Sequence, residues 1–202
     1  MSTVVIPRKG TMSTREHLDS VVTTLQPVVR GVSDDHMGAS TPCTDFDVRA
    51  VANHMLGTME AMRRIGASEP MDPEDPWGTG GDHMSDQWRE DLDRTLNEYA
   101  EAWSSPEAWE GDVMDGAMPK QAIGDMAFVE AILHGWDLAK GSGQDLQFDV
   151  AVVDRALEIM EQIGEMGRTQ GAFGPEVSVP QDAAPFDRVL AQAGRDPRWS
   201  AT

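Results

Sequence analysis

At 202 residues and 22.0 kDa, with 40% hydrophobic and 25% charged residues, the chain has room for one full hydrophobic core and a small extension, and is too apolar for a disordered polymer. The 35 acidic against 16 basic side chains, a formal net charge of -19, repel phosphate backbones and anionic lipid surfaces and argue against nucleic acid or a membrane as partner. Cys43 is the single cysteine, so no intrachain disulfide forms, and with no signal-like or membrane-length apolar run the expected compartment is the cytoplasm.

Apolar periodicity predicts a first helix over about Thr14 to Val32, with Leu18, Val21, Val22, Leu25, Val28 and Val29 inward and Pro27 a candidate kink. A second helix follows Ser40-Thr41-Pro42-Cys43, where Thr44 and Asp47 have capping-box spacing and Phe46, Val51, Met55, Met59 and Met62 face the core. SEPMDPEDPWGTGGDHM then reads as a long surface loop of the kind that carries function. A third helix over about Ser85 to Trp103 stripes Trp88, Leu92, Leu96, Tyr99 and Trp103 along one side. The fourth runs from about Pro119 to Lys140 and ends at Gly141 as a C-cap, and the fifth spans about Asp149 to Met166. From Gly171 onward a short extended piece and a last turn or two around Phe186 to Ala193 wrap the bundle. The expected fold is therefore all-α, with a helical bundle over residues 14–168 and a partly extended C-terminal tail over 169–202.

Chemistry concentrates in DMAFVEAILHGWDLAKGSG. Glu130 and His134 are spaced i,i+4 and Asp137 continues their face, among the apolar Ile123, Met126, Ala127 and Leu138. His54 stands in an equally apolar run with Val51, Met55 and Thr58. Two imidazoles and a carboxylate from facing helices make a three-ligand site of the kind catalytic zinc uses, with one position open, and Asp137 is placed to orient a ligand imidazole or act as a general base. The same residues also suit a hydrogen-bonded core histidine, since Glu130 alone can satisfy His134 and Glu-x-x-x-His is short enough to arise by chance. The residues by themselves leave both readings open. Cys43 has no histidine within its own motif and reads as an incidental thiol. His17, His36 and His83 read as surface positions, with His83 in reach of the site's mouth; Trp136 reads as packing, and Trp77 in the acidic loop as a candidate pocket wall.

TPCTDFDVRAVANHMLG, EAILHGWDLAKGSG and FGPEVSVPQDAAPFDRVLAQAGRDPRW together resemble an actinobacterial group of metal-binding proteins related to mycothiol-dependent maleylpyruvate isomerase within the DinB/YfiT-like superfamily. The resemblance covers almost the whole chain from about Thr14. It implies a DinB-like four-helix bundle with a divalent metal, most commonly zinc, held by His54, Glu130 and His134. It implies an enzyme using a low-molecular-weight thiol such as mycothiol for S-transfer or isomerisation of a small electrophile. The alternatives are a hydrolase or lyase using metal-activated water, or a metal-stabilised binding module whose fourth ligand comes from the protein. A small-molecule substrate and a monomer or homodimer are the expected partners.

Overall fold

The computed structural model describes residues 13–201, so the expectation that no signal peptide precedes the bundle lies mostly outside the described residues. A 3-10 turn over Thr14–His17 leads into α1 (Leu18–Gly31), which runs unbroken through Pro27. α2 (Val48–Gly66) starts one turn later than the Thr44 capping box implies: Asp47 is the N-cap, its carboxylate accepting from the Ala50 N–H at 2.8 Å. α3 (Trp88–Ala102) and α4 (Lys120–Gly141) complete the bundle, with α1 and α2 each packed against α3 and α4.

α4 is the central element, because residues from Ile123 to Gly141 are buried on almost every side rather than along one stripe. Gly141 lies inside the helix, not at its cap; Ser142 is the C-cap and Gly143, at φ 69°, turns the chain away. α5 (Val150–Gln170) is longer than expected, stopping at Gly171 in a left-handed conformation (φ 79°), and α6 (Pro185–Gln192) folds back onto it. A two-residue hairpin, β1 (Asp112–Val113) with β2 (Met118–Pro119), has no strand-like alternation in the sequence to announce it. Among the described residues no helix is long and apolar enough to cross a membrane.

Gly135 follows the site histidine directly and lets α4 approach α1: a Cβ there would run into the Leu25 side chain. Gly135→Ala is therefore expected to lower stability by about 1–3 kcal/mol, read as an earlier denaturant midpoint with an unchanged slope.

Candidate metal centre

His54 projects from α2 between the fully buried Val51 and Met55, and Glu130 and His134 project from α4 one turn apart. Because α2 and α4 pack directly on one another, the two faces meet. His54 Nε2 donates to Glu130 Oε1 at 2.6 Å, and His134 Nε2 lies 3.2 Å from the same oxygen. The rings of His54 and His134 stand edge to face with centroids 4.7 Å apart. Phe46 packs beside both, at 5.2 and 6.0 Å, although it precedes α2 instead of belonging to it.

Asp137, completely buried, sits behind His134 with Oδ2 3.0 Å from Nδ1. The angle is too poor for a hydrogen bond, so the contact is an ion pair and Nδ1 keeps no aligned partner. On its other side Asp137 is clamped by Arg195, with Nη2 at 2.8 Å and Nε at 3.4 Å, while Arg195 Nη1 donates to the Ala193 carbonyl at 2.9 Å. Burial opposes the charging of His134, but Glu130 and Asp137 outweigh it and push its pKa up to about 9. Burial likewise opposes ionised Glu130 and Asp137. The two histidines hold the first, and His134 with Arg195 the second, below the usual carboxylate range.

A raised imidazole pKa stabilises the fold fully below the unfolded value near 6.5 and loses that contribution as pH climbs toward 9. Metal-free protein is therefore expected to lose stability across that window. A thermal-melt series at constant ionic strength checks it, and the decline should vanish in His134→Ala.

The cluster opens onto a cavity of about 690 Å³, toward which Glu130 keeps its 29% exposed side-chain surface. Its wall includes Trp77 from the long loop, Met126 from α4, and Phe173, Gly194 and Arg195 from the tail. Gly78 φ 66° lies so close to Gly57 that a Cβ on Gly57 would meet the Gly78 carbonyl, which seats the Trp77 loop on α2. Gly194, at φ 81°, packs its backbone against Gly174, and Arg168 Nη1 donates to the Gln192 carbonyl at 2.7 Å, fixing the tail that delivers Arg195.

Four sequence expectations change. His17 is buried, its ring 6.5 Å from Phe128, because the 3-10 turn aims it at the core rather than at solvent. His83 is exposed, as expected of a surface position, but it does not reach the site's mouth: its Nε2 donates to the Gly80 carbonyl at 2.7 Å and its ring lies against Gly57. Met126, read as core, is 37% exposed on the cavity wall. Cys43 also lines the cavity and lies with donors of His134 and Asp137 inside a 4.8 Å cluster, but burial pushes its thiol pKa up, which blunts it as a nucleophile. Arg195 was not singled out at all, because a lone arginine in a Gly- and Pro-rich tail carries no periodic signal.

One donor atom each from His54, Glu130 and His134 lie within 4.8 Å of one another. Tetrahedral zinc separates its donors by about 3.3 Å; the His134–Glu130 contact of 3.2 Å matches that spacing, and the 2.6 Å His54–Glu130 hydrogen bond would have to open to it. Two imidazoles and a carboxylate, one imidazole backed by a buried carboxylate, are the donor chemistry a divalent ion of this kind takes. The residues fit the ion.

Residues 18–139, more than half of the chain, match the family described as mycothiol maleylpyruvate isomerase N-terminal domain. The chain belongs to that family. Two uncharacterized Mycobacterium tuberculosis proteins, MT0763 and Rv0738, are each 25% identical to this family member over 175 residues, covering 85% of this chain and 91% of theirs. The crystal structure of the mycothiol-dependent maleylpyruvate isomerase superposes with TM-score 0.58 at 16% identity, over 98% of this chain and 95% of that one. A mutant of that isomerase gives 0.51 at 17% identity, over 80% and 75%. At these identities the shared property is the fold, a DinB-like helical bundle.

Proposed function

We propose that the chain is a metal-dependent enzyme that joins a low-molecular-weight thiol of the mycothiol type to a small electrophile, for S-transfer or for isomerisation by reversible addition. The observation that carries this reading is the convergence of His54, Glu130 and His134 on the wall of a roughly 690 Å³ cavity, in a member of the mycothiol maleylpyruvate isomerase family. A divalent ion held by these three side chains would supply the Lewis acidity that draws a thiol toward its nucleophilic thiolate form.

The chain's own residues do the remainder. Asp137 sits behind the His134 ring and would hold it in the orientation an ion needs, and Arg195 in turn fixes Asp137. Phe46 confines both imidazoles from the side, and the cavity wall beside them is mostly apolar. The size of the cavity favours a thiol and a second substrate over a water-only site, and among the described residues no fourth protein donor joins the cluster, which favours catalysis over a closed structural site. Zinc-loaded protein should consume an electrophile only when mycothiol is supplied. Equal consumption with water alone would favour hydrolysis, and no consumption of any electrophile would sink the enzymatic reading.

A further inference from the structure

Resting on the thiol-transfer reading, we propose that the second substrate is a small uncharged, apolar electrophile, and that the cavity discriminates against electrophiles bearing two carboxylates. Arg195 is the one lysine or arginine among the described residues lining the cavity. It is not free: all three guanidinium nitrogens are engaged, two by Asp137 and one by the Ala193 carbonyl, and only 7% of the side chain is exposed. Its charge is spent on Asp137, and among the described residues no second lysine or arginine on the wall answers Asp45, which also lines the cavity.

The charge of a divalent ion would likewise be matched by the Glu130 carboxylate and one thiolate. A carboxylate entering this space gives up part of its hydration without gaining a free lysine or arginine among the described residues, whereas an uncharged body meets Phe46, Met62, Trp77, Met118, Met126 and Phe173. The three methionines adapt their shape to such a body more readily than branched side chains would. The reaction balances without a further reactant. Addition to an electron-poor alkene exchanges its π bond for one carbon–sulfur bond, the thiol proton ends on the neighbouring carbon, and nothing is oxidised or expelled.

The test compares dimethyl maleate with maleate, the same carbon skeleton uncharged and dianionic, using zinc-loaded protein and mycothiol. Each rate is divided by that of mycothiol alone, which removes the intrinsic reactivity of the two alkenes. The acceleration should favour the diester by about a hundredfold or more. Met126→Lys, placed on a partly exposed wall position that tolerates the change, should narrow that preference by at least about tenfold by giving the carboxylates a partner. Equal or greater acceleration of maleate would overturn this inference and leave the thiol reading standing, as would a preference unmoved by Met126→Lys. Acceleration of neither alkene would overturn this inference, and if S-alkylation of mycothiol by an alkyl halide were also not accelerated the thiol reading would fall with it.

Discussion

His134→Ala is expected to abolish metal binding and thiol-dependent turnover while the bundle stays folded. The core does not depend on the ion: α1 to α4 bury Leu, Val, Met, Ile and Trp side chains, each contributing roughly 1.5–3 kcal/mol. Nor does the substitution orphan a buried charge. Glu130 keeps His54 at 2.6 Å, and Asp137 keeps Arg195 at 2.8 Å, so each carboxylate retains a partner after the imidazole is gone. The remaining penalty is a cavity beside Phe46, of about 1–3 kcal/mol. Circular dichroism with metal content of the purified variant separates the alternatives. Global unfolding would make the ion structural, and retained metal with retained turnover would make His134 a hydrogen-bonded core histidine.

Arg195→Met carries the second large effect, this time on stability. Asp137 has no exposed surface, and without the guanidinium its charge is balanced by His134 alone. Breaking a buried pair from one side typically costs about 3–5 kcal/mol, and the surviving His134 contact places the expected loss near about 3 kcal/mol. The double variant Asp137→Asn with Arg195→Met removes the stranded charge and should recover more than half of that stability. It should still bind zinc about 10–100-fold more weakly than the wild type, because the His134 ring has lost its buried carboxylate. Chemical denaturation and zinc competition on the single and double variants test both halves. A single variant as stable as the wild type would mean that the tail, rather than the ion pair, holds the Asp137 region together.

The four bundle helices and the Glu130–His134 pair were legible because each depends on local spacing, whereas the choice of His54, 76 residues from Glu130, as their partner leaned on the family resemblance. Inward Leu and Val at three- and four-residue intervals define α1, and an i,i+4 pair inside an apolar run must be buried and must find partners. The boundaries were less legible. Thr44 and Asp47 both offer capping oxygens, and only the tertiary path decided that Asp47 starts α2. The cavity was the least legible part. Its wall is assembled from Cys43 and Phe46 before α2, Trp77 in a long loop, Met126 on α4 and the two stretches Gln170 to Gly174 and Ala193 to Arg195, and no periodicity links segments that meet only after the tail has folded back over α5. A charged residue buried against Asp137 from 58 positions away is a long-range fact, and Arg195 belongs to that class.

Titration of metal-free protein with zinc against a chromophoric chelator, in the wild type and in His54→Ala, Glu130→Gln and His134→Ala, bears most directly on the metal centre. One tight equivalent per chain in the wild type, weakened by orders of magnitude in each variant, is the predicted result. No zinc bound by the wild type, or one equivalent held undiminished in all three variants, would contradict the assignment of the site.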